Sequence, residues 1–337
     1  MKNLLALLSL SAVLLAGCSG SGGSNAASGT GGETSSGGNG STGGAKLTIA
    51  VVPMGTTHEY WKALHAGAED AAKELNVDIQ WKGPLKEDDR AGQIGIVQGF
   101  TADNVSGIVL APLDSNALMR PVSAAMAKKI PVVVVDSPLG GEAGKDYTAL
   151  IATNNKLGGS LGGDRLAKLL GEKGKVVMLR NAEGSASTAA REEGFLEAMK
   201  KYPNIQVISD NQRGGRTQSE AQTKAMQMVD TLRQADGVFC SNESTSAGML
   251  QALAQNRMAG KIKFVAFDSS PTLVDGLKAG NIDALVVQNP RKMGYEGVKA
   301  IVTKTRGGTV PANTDTGVTL VDKANLDTPD VKKLIGG

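Results

Sequence analysis

From residue 46 onward, short apolar runs alternate with longer stretches in which apolar residues return every three or four positions. Leu47-Thr48-Ile49-Ala50-Val51-Val52 is a β-rich run. After it, residues 59–75 place Trp61, Leu64, Ala68, Ala71 and Leu75 on one face of a helix. The same pattern predicts strands over 77–81, 107–110, 131–135, 149–153, 175–179, 205–209, 237–240, 263–267 and 284–287. Helices are predicted over 88–102, 115–128, 157–170, 187–200, 219–232, 245–255, 272–279 and 292–305. The valine run ending at Val135 has no polar interruption, as a strand covered on both faces requires. Strict alternation implies parallel sheets with helices on both faces, and this many strands suit two sheets better than one. The expected fold class is α/β, with two doubly wound Rossmann-like lobes.

The first 45 residues lack that pattern. Lys2 opens a segment whose apolar core, residues 4–15, is too short for a permanent membrane span. It closes in Leu15-Ala16-Gly17-Cys18, which resembles the bacterial lipobox, where the Cys becomes the lipidated N-terminus. The plainer reading is a secretory signal with an incidental cysteine. Residues 19–45 are Gly/Ser-rich with Glu33 as the only charge, a tether averaging roughly 30 Å end to end. The expectation is a signal peptide over 1–18 with Cys18 as lipidation site, a tether over 19–45, and export to the outer side of a bacterial membrane.

Composition narrows the function. The 337 residues, 41% apolar, suffice for two domains. A net charge of +3 without basic runs, and few aromatics, argue against nucleic acid as a partner. Two cysteines are too few for a disulfide framework, and Cys240, ending a predicted strand, reads as a small core residue. Ser137, Ser241 and Ser269 lack a Gly-x-Ser-x-Gly elbow. His58 and His65 lack the His-Glu-x-x-His spacing of zinc hydrolases. The glycines from Gly158 to Gly163 fall inside a predicted helix, which suggests close helix packing rather than a dinucleotide loop. No enzyme activity, cofactor or metal is expected.

The chemistry stands where strands run out, the usual ligand position in open α/β sheets. The first strand is followed by His58, Tyr60 and Trp61. Other strands end in Asp136-Ser137, Asn242-Glu243, Asp268-Ser269-Ser270 and Gln288-Asn289, and Arg191 follows the strand at 175–179 near the start of a helix. Carboxylates, amides and a guanidinium can together satisfy a ring of hydroxyls, which donate and accept at once. Tyr60 or Trp61 could cover the apolar face of a sugar. Each residue taken singly also fits a helix cap or a turn, Asp268 before Ser269-Ser270-Pro271 above all.

From Lys46 to about Leu320 the chain resembles the type I periplasmic sugar-binding proteins, the ribose-binding group in particular. Ordered local patterns carry the resemblance: Thr57-His58-Glu59-Tyr60-Trp61, Ile130 to Asp136, Ala190-Arg191-Glu192-Glu193-Gly194-Phe195, Val238 to Glu243, Val265-Ala266-Phe267-Asp268 and Val287-Gln288. The resemblance implies lobes joined by a three-strand hinge, one over 46–152 plus 289–318 and the other over 153–288 plus 319–337. It implies ligand contacts from His58, Tyr60, Trp61, Asp136, Arg191, Asn242, Asp268 and Gln288, with Ser137 beside them. It further implies a monomeric carrier that captures a monosaccharide and delivers it to an ABC importer permease, membrane contact being through the lipid anchor alone. The chain departs from ribose binders at Ser137, where they usually have Arg, and at His58, where they usually have Asn. It also has Arg213 and Arg216 where an aromatic is usual, which leaves an acidic ligand open. A lactose-repressor-type regulator shares the body but carries a DNA-binding helix pair in place of the export signal. A chemoreceptor or sensor kinase as client of the closed form is the alternative to an importer.

Overall fold

The computed structural model describes residues 46–336, so Cys18 and the tether lie outside the described residues. In chain order the first elements are β1 (Thr48–Val52), α1 (Glu59–Leu75), β2 (Asp78–Trp81), α2 (Arg90–Ala102), β3 (Gly107–Leu110), α3 (Met119–Ala127), β4 (Val132–Val135) and β5 (Ala149–Ala152). Next come α4 (Asn155–Leu169), β6 (Lys173–Arg180), α5 (Ala186–Met199), β7 (Asn204–Arg213), α6 (Gln218–Gln227), α7 (Val229–Leu232), β8 (Gly237–Cys240) and α8 (Glu243–Gln255). The chain continues through β9 (Lys263–Phe267), α9 (Pro271–Ala279), β10 (Ala284–Val287), α10 (Pro290–Thr305), β11 (Asn313–Asp315), β12 (Thr319–Val321) and α11 (Pro329–Ile335).

Two six-stranded sheets form among the described residues, with strand orders β11-β5-β4-β3-β1-β2 and β12-β10-β9-β8-β6-β7. Each reverses direction beside its first strand, at β1/β3 and at β6/β8, the mark of a doubly wound sheet. The expectation of wholly parallel sheets needs one correction: β12 runs antiparallel to β10. β11, β12 and α11 have no predicted counterpart. Both strands are three residues long, too short to show a period. The helix predicted over 115–128 begins only at Met119, because Asp114 accepts from the backbone N–H groups of Asn116 and Ala117 and holds a turn there. The helix predicted over 219–232 is broken at Met228.

Period-two alternation splits each sheet's apolar residues between two cores. Ile49, Val51, Val109, Val133 and Val135 face α1 and α10, while Ala50, Val52, Ile108, Leu110, Val132 and Val134 face α2 and α3. In the other lobe Val176, Met178, Phe239, Val265, Phe267 and Val286 face α4 and α5. Val177, Leu179, Val238, Cys240, Phe264, Ala266 and Leu285 face the opposite side. Cys240 is fully buried there, as its sequence position suggests.

Helix pairs α1/α10 and α4/α5 cross at glycines on both partners. A Cβ on Gly67 would lie 1.8 Å from the Arg291 carbonyl oxygen, and one on Gly294 2.0 Å from that of Leu64. The second pair repeats this: a Cβ on Gly159 would lie 1.8 Å from the Arg191 oxygen, and one on Gly194 2.0 Å from that of Lys156. The glycine-rich stretch thus serves helix contact, as its periodicity indicated, and the crossing sets where Arg191 sits.

Three passages link the sheets: β5 to α4, β10 to α10, and β11 to β12. Two of them are tied together, since Asn154 N–H donates to Asp315 at 3.2 Å and the Thr153 hydroxyl donates to the Gly317 carbonyl at 3.3 Å.

Candidate functional site

The C-terminal ends of β1 and β4 and the loop after β2 face those of β6, β8, β9 and β10 around a cavity of about 40 Å³. A neighbouring cavity of about 300 Å³ shares Tyr60, Glu243, Asp268 and Gln288 as wall. A larger surface groove of about 580 Å³ beside α5 and β7 contains none of these convergent side chains. The polar chemistry therefore marks the inter-lobe cavity, although wider surface grooves of about 580 and 760 Å³ lie elsewhere.

His58 occupies the N-cap position of α1, yet its ring makes no cap bond. Its Nδ1 lies 3.0 Å from Glu87 Oε1, which also accepts from Trp61 Nε1 at 2.7 Å. Burial alone would lower the imidazolium pKa, but the hydrogen bond and charge of Glu87, with Glu243 and Asp268 beyond, raise it to about 9. Burial pushes the Glu87 carboxyl up, and the bonds from His58 and Trp61 outweigh it, so its pKa lies below the ordinary value. At neutral pH the two form an ion pair. Trp61 is 3% exposed and packs into the core beneath α1, so it serves as wall and core together.

Tyr60 reaches across the first lobe. Its hydroxyl donates to Asp136 Oδ1 at 2.5 Å, and its ring meets Trp61 edge-on with centroids 4.9 Å apart. Its backbone N–H donates to Glu243 Oε2 of the second lobe at 3.3 Å. Burial raises the Asp136 carboxyl to about 6, against the lowering effects of the Arg191 charge and the Tyr60 hydroxyl.

Arg191 is 2% exposed. Its Nε donates to Asn155 Oδ1 at 2.7 Å and its Nη1 to the Ser241 carbonyl at 3.0 Å, with the guanidinium 4.1 Å above the Phe267 ring. Asp268 does not cap α9; Ser270 holds that position. Asp268 instead accepts from the Glu243 N–H and from Gln288 Nε2, both at 2.8 Å, and burial raises its pKa. Asn242 does act as a cap, in a reciprocal box with Thr245 at the start of α8, while also facing the cavity.

Eight of the nine residues singled out from sequence line this one cavity. Ser137 is the exception. It is buried, and its hydroxyl accepts from the Ser187 N–H at 3.2 Å, linking the lobes behind the cavity wall. Glu243, noted beside Asn242 at its strand end, lines the cavity too, and sequence reading passed over Glu87, Asn181, Ser185 and Thr188, which also line it. The strand-end rule could also have found Asn181, which directly follows β6. Glu87 stands six residues beyond β2, where that rule loses its reach. Two amide oxygens on the wall, Asn181 Oδ1 and Gln288 Oε1, are buried without a hydrogen-bond partner. Among the described residues no cluster of His, Cys, Asp or Glu could hold a metal ion, and no helix is long and apolar enough to cross a membrane.

Residues 49–309 match the family model described as periplasmic binding protein domain. The D-allose-binding periplasmic protein of Escherichia coli is 30% identical over 266 residues, covering 77% of this chain and 85% of that protein. The ribose import binding protein of Salmonella typhimurium is 30% identical over 290 residues, covering 83% and 92%. Among solved structures, a carbohydrate transporter solute binding protein from Agrobacterium radiobacter in complex with D-arabinose superposes with a TM-score of 0.82. It is 34% identical, with 86% of this chain and 99% of that one covered. The superposition and matches of this length on both sides lead to one conclusion: the chain belongs to the periplasmic binding proteins of type I that bind sugars, a family of carriers rather than enzymes.

Proposed function

We propose that this protein captures a monosaccharide between its lobes and hands it to an ABC importer permease. The observation that carries the reading is the pair of unpartnered buried acceptors, Asn181 Oδ1 and Gln288 Oε1, in a cavity otherwise built of paired polar groups. A buried polar atom without a partner costs about 1–3 kcal/mol, and a ligand hydroxyl recovers that. Tyr60, Trp61 and Asp136 act from one lobe, and Arg191, Asn242, Asp268 and Gln288 from the other. Contact from both lobes ties closure to the ligand, because only the closed form makes the full set of bonds. His58 acts with Glu87 as one unit, and Ser137 supports closure from behind. The relatives that bind D-allose and D-arabinose support the ligand class.

The lobe limits that fit this reading are 46–152 plus 289–318 and 153–288 plus 319–337, supported by the division of strands between the two sheets. Cys18 carries the lipid that keeps the monomeric carrier on the outer side of the membrane.

Thermal unfolding of the purified protein against pentoses, hexoses and inositols tests the function. A sugar present at a hundredfold its Kd adds about 2.7 kcal/mol and raises Tm visibly. A panel in which no monosaccharide moves Tm refutes it.

A further inference from the structure

The arginines at Arg213 and Arg216 suggest an acidic ligand when read in sequence, but neither lines the cavity. Arg213 donates to the Asn181 carbonyl and pairs with Glu183 at 3.3 Å, while Arg216 donates to the Glu183 carbonyl at 2.6 Å. The wall itself holds four carboxylates, Glu87, Asp136, Glu243 and Asp268, against one guanidinium and one imidazole. Glu87 and His58 cancel as a pair. Within the wall Arg191 then faces three acids, with two of its nitrogens already spent on Asn155 and Ser241, while Arg216 acts on Glu87 from outside and keeps one buried Nη1 without a partner. The two unpartnered oxygens of Asn181 and Gln288 add acceptors, not donors, to this surplus.

We propose that the cleft is a charge filter, taking uncharged and amine-bearing monosaccharides and refusing uronates and sugar phosphates, with Glu243 as a residue that sets the refusal. This rests on the monosaccharide reading above and narrows its substrate class. An added anion would share a desolvated space with a surplus of like charge and would find acceptors where it needs donors. Like charges so juxtaposed discriminate strongly against a ligand. A hydroxyl or an ammonium supplies donors to those same oxygens. Glu243 is the acid with the least support: its carboxylate accepts one backbone N–H across the cleft, from Tyr60 at 3.3 Å. The charged groups facing it are His58, Glu87 and the exposed Lys62 of the first lobe and Asp268 of the second; burial raises its pKa to about 7 against the opposing charge of His58.

The test is calorimetric titration of the purified protein with a neutral sugar that raises its Tm, and with that sugar's uronate, phosphate ester and amino analogue. At pH 8.5 the uronate and phosphate should bind at least about a hundredfold more weakly than the parent, a gap of about 2.7 kcal/mol, and the amino analogue within about tenfold. Glu243→Gln should narrow the parent-to-uronate ratio by about tenfold. The wild-type ratio should also narrow at pH 5.5, where Glu243 takes up a proton while a uronate stays charged; this arm needs no variant to fold. A uronate or phosphate within tenfold of the parent overturns the filter, and so does a ratio that neither pH nor Glu243→Gln moves. Binding of anionic sugars alone would overturn the filter while leaving sugar capture standing. No binding by any sugar would refute the capture itself, and the filter with it.

Discussion

Asp136 and Asp268 hold the same place in the two lobes. Each follows the last residue of its strand, β4 or β9, and each has left-handed backbone, with φ of 66° and 73°. The Asp136 N–H donates to the Ile151 carbonyl of the adjoining strand, and that of Asp268 to the Val286 carbonyl. Both carboxylates feel the single Arg191 charge. The two-lobed fold thus aims a pair of equivalent acids at one guanidinium from opposite sides of the cleft.

This pairing dictates how the acids should be probed. Asn tolerates left-handed backbone, whereas Ala there costs about 1–2 kcal/mol. Asp136→Asn and Asp268→Asn are therefore expected to keep Tm within a few degrees while weakening sugar binding by at least about tenfold, the loss of one charged acceptor. Titration calorimetry beside a melting curve checks both halves. Undiminished affinity in either variant would remove that acid from the site.

Arg191 differs in kind, because its bonds to Asn155 and Ser241 and its contact with Phe267 lie within the second lobe. Arg191→Ala should abolish binding and also destabilise the ligand-free protein by about 3 kcal/mol, since it leaves buried acids uncompensated. Urea unfolding of the ligand-free variant gives the second number. A variant as stable as wild type would show that the arginine serves the ligand alone.

The stability of the ligand-free protein should fall as pH rises from 5 to 9.5. Glu243 and Asp136, with carboxyl pKa values raised to about 7 and about 6, hold protons in the fold that the unfolded chain has released. Stability is therefore lost on that account between roughly pH 4 and 7. His58, raised to about 9, contributes fully below its unfolded value of about 6.5 and loses its contribution as pH climbs through 9. A Tm profile should thus show two falling limbs, with Glu243→Gln flattening the first and His58→Gln the second. A Tm rising between pH 5 and 7 would contradict the arrangement.

Helix contact offers a test that involves no ligand. Gly159→Ala puts a methyl on the Arg191 carbonyl, while Gly95 on exposed α2 has nothing within 4 Å of its added carbon. The first should cost at least about 2 kcal/mol by overpacking, and by shifting Arg191 it should weaken sugar binding as well. Gly95→Ala should stabilise by up to about 1 kcal/mol. Denaturant midpoints of the two variants decide the matter, and equal effects would refute the close crossing.

Much of this was legible from local pattern. Helix α1 runs over the residues its apolar spacing marked, and β3, β8, β9 and β10 coincide with their predicted runs. Asp136, Asp268 and Gln288 were singled out because a doubly wound fold puts strand ends where ligands sit, and they do line the cavity; Arg191 reaches it from within α5. Glu87 escaped because a loop of several residues separates it from β2, and a loop's path is set by what it packs on. Ser137 was misjudged for a related reason: the residue after Asp136 points where the left-handed turn sends it, which is toward Ser187.

The sequence by itself determined the alternation of elements, the two-sheet architecture, the glycine helix crossings and the acids and amides at strand ends. Those follow from periodicity and backbone sterics, which act over a few residues. Only the tertiary structure decided that His58 spends its ring on Glu87 rather than on a helix cap, that Arg213 and Arg216 stand outside the cavity, and that Asp136 and Asp268 share one guanidinium. Charge and hydrogen bonding act through space between residues far apart in the chain, so their balance exists only once the lobes have met.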